Sequence, residues 1–244
     1  MNRLYYLISV GIVLAAFAGF AWRFERSIIT GESKEAVTEA EQQHRRRGVR
    51  TRELVLAAVL CALTVAGRVA FFMLPQFKPM AAMIIIAAVC YGREMGFLVG
   101  TVSALVSNFF FGQGPWTPWQ MLAFGLIGYA AGLCFARKTD KAGKTQKKSQ
   151  QRYVQPYVVI SRQRLCIFGF GAVMLIYGGI INPASLLMYA QEITWSSVLA
   201  VYVSGLPFDL IHAGATVVFL WLLAEPMQEK LLRIRKKYGV MGQY

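Results

Sequence analysis

Four polar residues stand inside otherwise apolar stretches of the chain, where they could bind a ligand or carry out proton chemistry. They are Arg68, Asn108, Asp209 and His212. Polar and ionisable side chains are costly within a membrane span and therefore mark functional candidates. Asp209 and His212 are three residues apart on one helical face, and Pro207 can bend that helix just before them. They could line a polar cavity, or form an internal cluster that only fixes helix positions.

The segment 111–121 (FGQGPWTPWQM) combines turn-forming Gly and Pro with two Trp residues and side-chain amides. Indoles stack on amphipathic organic ligands, and amides hydrogen-bond them. The alternative is an aromatic belt at a membrane interface, where Trp is abundant regardless of function. The segment supplies four candidate ligand-binding residues: Gln113, Trp116, Trp119 and Gln120.

Two more polar residues complete the candidate set. Lys78 lies in a short loop between Pro75 and Pro79 and could meet an anionic group. Asn182 ends the fifth core span defined below. With Arg68, Asn108, Asp209, His212 and the four residues of segment 111–121, these make ten predicted ligand-binding residues.

The sequence favours neither a metal site nor nucleotide hydrolysis. Its four cysteines, Cys61, Cys90, Cys134 and Cys166, are isolated in apolar stretches and are predicted to be buried packing residues. The tripeptide GKT at 143–145 resembles the end of a phosphate-binding loop, but Lys138 stands where the first glycine is required. We therefore predict no cofactor, no metal and no catalytic residue.

Composition places the chain in a membrane. Of its 244 residues 56% are hydrophobic and 16% are charged, against about 25% charged in soluble domains. There are seven apolar stretches, and most are near the ~20 residues of a membrane span, although the third is shorter. They are Leu4–Trp22, Leu54–Leu74, Pro79–Tyr91, Met95–Phe111, Trp116–Ala136, Leu165–Asn182 and Thr194–Ala224. We predict seven crossings, including the short third stretch.

The net charge of +14 encodes orientation. Of 26 Lys and Arg residues, 23 fall in four segments: 23–52, 92–94, 137–164 and the chain after Glu229. If all seven stretches cross, these segments lie on one side, which the positive-inside rule makes the cytoplasm. The N-terminus is then extracellular and the C-terminus cytoplasmic. Nucleic-acid binding is disfavoured because no soluble basic domain holds these charges.

The predicted fold is an all-α integral membrane protein of six core helices plus one N-terminal transmembrane helix. The first span also resembles a signal peptide, but cleavage would export the basic residues that follow it, so an uncleaved anchor is favoured. The expected organisation is an anchor at 1–22, a charged cytoplasmic linker at 23–52, core spans 1–4 at 53–136, a basic cytoplasmic loop at 137–164, core spans 5–6 at 165–224 and a basic cytoplasmic tail at 225–244. Part of the linker, 33–47, has helix-forming composition.

Small residues recur at four-residue spacing on three spans. Ala58, Ala62 and Ala66 form one face of the first core span, which allows another helix to approach closely. We interpret that face as an association surface. Gly92, Gly96, Gly100 and Ala104 form a second seam, and Gly128 with Gly132 a third. We expect these two glycine seams to pack within the bundle itself.

With these features in place, residues 52–238 resemble a substrate-binding S component of an energy-coupling factor (ECF) vitamin transporter. The resemblance rests on Ala58-x-x-x-Ala62, six spans from Glu53 to Ala224 with both ends cytoplasmic, segment 111–125 (FGQGPWTPWQMLAFG), FDLIH at 208–212 and the basic tail ending KKYG at 236–239. The extra N-terminal span and its linker depart from the six-span pattern.

The resemblance implies a six-helix bundle that binds a vitamin-like ligand from outside and topples in the membrane to release it inward. A membrane T subunit and two cytoplasmic ATPase subunits drive this step, and Ala58, Ala62 and Ala66 contact the T subunit. Segment 111–125 and the last helix look most like the cobalamin-type branch, which implies a corrinoid ligand.

Two other functions are compatible with the residues. An intramembrane enzyme could use Asp209 and His212 as an acid/base pair, although few further polar residues accompany them. A ligand-free membrane adaptor would need no pocket at all.

Overall fold

A computed structural model describes residues 11, 15, 19, 39–135, 159–190 and 192–238. Across this part of the chain there is no β-strand, and six helices follow one another. We name them α1 (Glu39–Ala70), α2 (Met80–Tyr91), α3 (Arg93–Phe111), α4 (Thr117–Phe135), α5 (Arg162–Tyr189) and α6 (Trp195–Tyr238). The all-α membrane fold is thereby confirmed. Apart from residues 11, 15 and 19, the anchor at 1–22 lies outside the described residues, as do the start of the linker and residues 136–158 of the basic loop with the GKT tripeptide.

Five of the six helices are long and apolar enough to cross a bilayer, and the exception is α2. Its 12 residues extend about 18 Å at 1.5 Å per residue, well short of a hydrocarbon core about 30 Å thick. Helix α2 lies in the centre of the bundle and contacts all five other helices. Ile84, Ile85 and Ile86 are fully buried there, so this helix is apolar all round because protein surrounds it.

The glycine seams join α3 to α4, as expected. A Cβ atom added at Gly96 would lie 2.6 Å from the carbonyl oxygen of Gly128, and one added at Gly100 would overlap the backbone of Phe124. Gly132 likewise faces the backbone of Arg93. Only glycine lets the two backbones approach this closely, which makes α3 and α4 the most extensively paired helices among those described.

The alanine face of α1 points away from the bundle. Ala58, Ala62 and Ala66 are exposed, whereas Ala57 and Leu60 on the opposite face are buried in the core. Leu54, Val55, Val59 and Leu63 surround the alanines and are about half exposed. The small residues therefore lie on an outer apolar surface of the described bundle, where another helix could reach them.

Helices α1 and α6 extend furthest beyond the predicted spans. Helix α1 begins at Glu39, so the second half of the linker is continuous with the first core span. Helix α6 continues to Tyr238, well past the expected end at Ala224. The extension is held by side-chain bonds to main-chain atoms: the Tyr91 hydroxyl donates to the Leu231 carbonyl at 2.9 Å, and Arg235 donates to the Cys90 carbonyl at 2.7 Å.

Helix α5 contains a π-helical turn, Val173–Tyr177, between two α-helical halves. A π turn inserts one residue into the helical repeat and is frequent at functional sites. It is followed by Pro183, which cannot donate a main-chain hydrogen bond. The turn ends on Tyr177, whose buried side chain points into the bundle.

Candidate ligand-binding site

A cavity of about 260 Å³ opens at the end of the bundle where α1, α3 and the start of α4 meet the 71–79 loop. Its lining combines cations, amides and aromatic rings: Arg68, Gln76, Lys78, Met80, Asn108, Phe111, Gly112, Trp116, Gln120, Phe124, Tyr177 and His212. No carboxylate belongs to this lining. The cavity is therefore suited to a ligand that presents aromatic surface and hydrogen-bond acceptors.

Arg68 is fixed by a hydrogen-bond network on its buried side. Its Nη1 atom donates to the Ser107 hydroxyl and, at 2.9 Å, to Oδ1 of Asn108. The Asn108 amide then donates to Oγ1 of Thr117 at 3.0 Å and to Oε1 of Gln120 at 2.9 Å. These bonds tie α1, α3 and α4 together at the cavity wall and hold the guanidinium where it can meet a ligand.

Two cations flank the Phe111 ring. The guanidinium carbon of Arg68 lies 4.4 Å from the ring centroid and the Lys78 ammonium 5.1 Å from it. Both distances are within the range of cation–π attraction. Lys78 also donates to the Leu74 carbonyl at 3.1 Å, so the 71–79 loop presents its charge toward the cavity. Partial burial, and then the positive charge of Arg68, lower the pKa of Lys78.

The loop before α4 brings Trp116 to the cavity. Gly112 has a φ of 97°, which glycine adopts without strain. A Cβ atom at Gly114 would overlap the indole of Trp116, so glycine makes room for the ring there. Gln113 closes the turn from outside: its amide donates to the Leu105 carbonyl at 3.0 Å and accepts from Thr117 at 2.9 Å.

Aromatic rings form the inner end of the cavity. The Tyr177 and His212 rings meet edge to face with centroids 4.6 Å apart, and Phe124 lies 5.0 Å from Tyr177 and 5.9 Å from His212. His212 is buried, and its Nδ1 atom has no hydrogen-bond partner among the described residues. Tyr177 interacts with the side chain of Gln120, which links this end to the Arg68 network.

Asp209 and Asn182 form a separate pair between α5 and α6. The Asn182 amide donates to the Asp209 carboxylate at 2.8 Å, and neither residue belongs to the cavity lining. Two glycines accommodate the pair, since a Cβ atom at Gly178 would lie 2.7 Å from Oδ2 of Asp209 and one at Gly205 would overlap Oδ1 of Asn182. The structure thus places Asp209 in a polar contact that joins two helices.

Of the ten predicted ligand-binding residues, the structure brings six to the cavity: Arg68, Lys78, Asn108, Trp116, Gln120 and His212. It leaves four outside the lining: Gln113, Trp119, Asn182 and Asp209.

Sequence reasoning missed three aromatic residues and one amide in the lining. Phe111, Phe124 and Tyr177 look like ordinary span residues, and Gln76 looks like a loop residue. One signal was available, because Phe124 follows Gln120 by four residues and so shares its helical face. Tyr177 depends on the π turn, which no residue pattern predicts. Gln76 has a φ of 56°, a conformation uncommon for residues other than glycine, Asn and Asp.

Comparison with known proteins identifies the family of the chain. The family described as "ECF-type riboflavin transporter, S component" matches residues 48–229, more than half of the chain. The chain belongs to this family. Its family is described as one of S components of ECF-type transporters, and the long apolar helices are those of a multi-pass membrane protein. The family is one of transporter subunits, and the resemblance inferred from the sequence is confirmed at this level.

Curated relatives of this S component match over a shorter region. UPF0397 proteins of Aliivibrio fischeri and Aliivibrio salmonicida are each 35% identical over 85 residues, and one of Vibrio atlanticus is 34% identical over the same length. Each match covers 33% of this chain and 46% of the relative. The chain thus spans about half the length of the curated relatives it matches. No solved structure matches it.

The described residues of the S component contain no cluster of three or more His, Cys, Asp or Glu side chains that could hold a metal ion. Cys61, Cys90 and Cys166 are buried, as expected for packing residues, whereas Cys134 is exposed. Asp209 and His212 do not share the cavity, so the geometry of an acid/base pair is not present there.

Proposed function

We propose that this S component captures a vitamin-like ligand in the Arg68 cavity from the extracellular side. It then passes the ligand to the cytoplasm in complex with a membrane T subunit and two cytoplasmic ATPase subunits. One observation carries the proposal: a buried guanidinium, oriented by two side chains, borders a cavity walled by aromatic rings and free of carboxylates. A ligand-free adaptor would not need a cavity of this kind beside the buried charge.

The volume of the cavity favours a ligand smaller than a corrinoid. At about 260 Å³ it lies just below the about 300–1,000 Å³ typical of pockets for drug-sized ligands. A corrinoid macrocycle with its nucleotide loop is much larger than such a pocket. The family description names riboflavin, a planar heteroaromatic vitamin with two ring carbonyls. We therefore propose riboflavin as the first ligand to test, ahead of the cobalamin expected from the sequence.

The chemistry of the lining supports that choice. Trp116, Phe124 and Tyr177 offer ring surfaces for stacking on a flat heterocycle. Arg68 and Lys78 can donate to ring carbonyls or to the hydroxyls of a polar side chain. Edge-to-face contacts of His212 with Phe124 and with Tyr177 form an aromatic inner end, which suits the edge of a fused ring system.

Orientation and assembly follow the charge distribution. The cavity lies at the end of the bundle opposite the basic segments that begin α5 and end α6, which supports an extracellular mouth and a cytoplasmic C-terminus. The exposed alanines of α1 provide a lateral surface for the T subunit, as the family resemblance implies. The anchor at 1–22 and the linker at 23–52 are proposed as additions to the six-helix core.

Titration of purified protein with riboflavin tests the proposal. Flavin fluorescence is expected to be quenched on stacking against the cavity rings, with saturation at one ligand per chain. Trp116→Ala should weaken binding, whereas Trp195→Ala, on a residue that is 90% exposed at the start of α6, serves as the matched control. Equal affinity in the wild type and Trp116→Ala would contradict the assignment of the cavity.

A further inference from the structure

We infer that Asn108 is a positioning residue that fixes the orientation of the Gln120 side-chain amide. As a consequence, the cavity wall presents hydrogen-bond donors, and it suits a ligand whose facing edge carries hydrogen-bond acceptors. This inference rests on the proposed function and names the chemical class of the ligand edge. It concerns the buried network behind the cavity, where Asn108 contacts three other side chains of the described chain.

The direction of the network follows from the chemistry of Arg68. A guanidinium can only donate, so the Asn108 atom that lies 2.9 Å from it must be the carbonyl oxygen. The other atom of the Asn108 amide is then the NH₂ group, which can only donate. Its neighbour at 2.9 Å on Gln120 must therefore be the carbonyl oxygen as well.

Thr117 is consistent with the same direction. Its hydroxyl accepts from Asn108 at 3.0 Å and from the Gly114 main chain at 3.3 Å, while it donates to Gln113 at 2.9 Å. Every polar atom of the Asn108 side chain is thereby used. Asn108 is almost fully buried, so it has no alternative partner in solvent that would let its amide reverse.

The consequence lies on the cavity side of Gln120. With its oxygen engaged by Asn108, Gln120 has its NH₂ group left to donate, and Gln120 borders the cavity. Arg68 and Lys78 border the same space and also only donate. A ligand that places carbonyl or other acceptor atoms at this wall can satisfy all three residues, and a ligand that places donors there cannot.

Thermal unfolding of the full-length protein without ligand tests the direction of the network. Gln120→Glu keeps an acceptor facing Asn108, and Asn108→Asp allows the Gln120 amide to reverse and donate to the new carboxylate. Gln120→Glu should therefore lower the unfolding temperature only slightly, and Asn108→Asp somewhat more, because the Thr117 hydroxyl must give up its bond to Gln113 to donate to the new carboxylate. The double variant places two carboxylates together and should lower it by more than the sum of the single shifts. If Gln120→Glu alone is as damaging as the double variant, the direction is wrong.

Riboflavin binding provides a readout that a purely structural role would not change. In Asn108→Asp the reversed amide presents oxygen to the ligand, so affinity should fall about tenfold or more. Wild type should prefer riboflavin to 2-thioriboflavin or 4-thioriboflavin, because sulfur accepts hydrogen bonds weakly, and Asn108→Asp should lose that preference. Gln163→Glu, the same amide-to-carboxylate change on an exposed residue at the start of α5, should leave affinity and preference unchanged.

The two measurements separate the inference from the proposed function. If wild type does not bind riboflavin while the unfolding pattern is as expected, the proposed ligand is wrong and the role of Asn108 holds. If wild type binds riboflavin and Asn108→Asp binds it equally well with the same preference over the thio analogues, the inference is overturned and the proposed ligand stands.

Discussion

Arg68 and Asn108 are joined by a 2.9 Å hydrogen bond that connects helix α1 to helix α3 beneath the cavity. Both residues are buried, and the same Arg68 nitrogen also donates to Ser107. A buried donor without a partner costs about 1–3 kcal/mol, and more when it is charged. The bond therefore contributes both to the packing of the helices and to the position of the charge that a ligand would meet.

Replacing Arg68 by Lys should weaken ligand binding although the charge is retained. The shorter ammonium group cannot reproduce the planar donor geometry that engages Ser107 and Asn108 together. We expect the affinity for riboflavin to fall about tenfold or more, which corresponds to about 1.4 kcal/mol. Fluorescence titration measures it, with Arg164→Lys on an exposed part of α5 as control. Equal affinities for Arg68→Lys and wild type would show that the geometry of Arg68 is unimportant.

Gly100→Ala should destabilise the protein, because the added methyl group would overlap the backbone of Phe124 on the facing helix. Overpacking of this kind typically costs about 1–3 kcal/mol. Gly214→Ala on α6 is the matched control, because no atom lies within 4 Å of its added Cβ. Alanine also has a higher helix propensity than glycine, so this variant should be as stable as wild type or more stable. Thermal unfolding in detergent distinguishes the two. A stable Gly100→Ala variant would argue against the close approach of α3 and α4.

Ala62→Trp should abolish assembly with the T subunit while leaving riboflavin binding intact. Ala62 is exposed and does not belong to the cavity lining, so a bulky side chain there would block an approaching helix without entering the pocket. Ile167→Trp, on a side chain 76% exposed on α5, controls for the bulk of the new residue. Co-purification with the T subunit is the measurement. Intact assembly of Ala62→Trp would exclude this face as the contact.

Asp209→Asn should leave riboflavin affinity unchanged, since Asp209 accepts from Asn182 and does not line the cavity. An amide oxygen at position 209 can accept the same hydrogen bond. Asp209→Leu should instead lower stability by about 1–3 kcal/mol, because it leaves the buried Asn182 amide unpaired. Titration and thermal unfolding of both variants check this. Lost binding in a stable Asp209→Asn variant would restore Asp209 to the ligand site.

Lys78 should make stability depend on alkaline pH. Because the pKa of Lys78 is lowered in the folded protein, chiefly by partial burial, the unfolded chain binds more protons between the lowered value and the ordinary one. The contribution of Lys78 to the free energy of unfolding therefore rises as the pH increases from the lowered pKa to the ordinary one. The unfolding temperature of Lys78→Met relative to wild type should fall as pH increases from neutral toward about 10. A constant difference between the two proteins would contradict the lowered pKa.

Much of the fold could be predicted because membrane spans are recognisable in a sequence as long apolar stretches. Each core helix covers nearly all of the corresponding apolar stretch, and Gly96 and Gly128 pack within the bundle as their spacing predicts. The helix ends were less predictable. Proline usually interrupts a helix, yet α6 continues through Pro226 because Gln228, Leu231 and Leu232 beyond it are buried against the rest of the protein.

The residues of the candidate site could also be predicted only in part. Arg68 and Asn108 were recognisable because a polar group in a span is expensive and therefore informative. Tyr177 and Phe124 were not, since aromatic residues are common in spans whatever they do. Asp209, like Arg68, is a polar residue within an apolar span, but it does not line the cavity. Its carboxylate instead accepts a hydrogen bond from Asn182 on the neighbouring helix. A costly polar residue identifies a constraint, and only the packing of the helices shows whether a ligand or a side chain satisfies it.

Mass spectrometry of small molecules extracted from the purified protein tests the central claim most directly. Wild type and Arg68→Met would be produced in the same vitamin-replete cells and purified in parallel. Wild type should carry a vitamin-sized heteroaromatic compound, with riboflavin expected, at close to one per chain, and Arg68→Met should carry far less. Equal amounts in both proteins, or no bound compound in either, would contradict the assignment of this cavity to ligand capture.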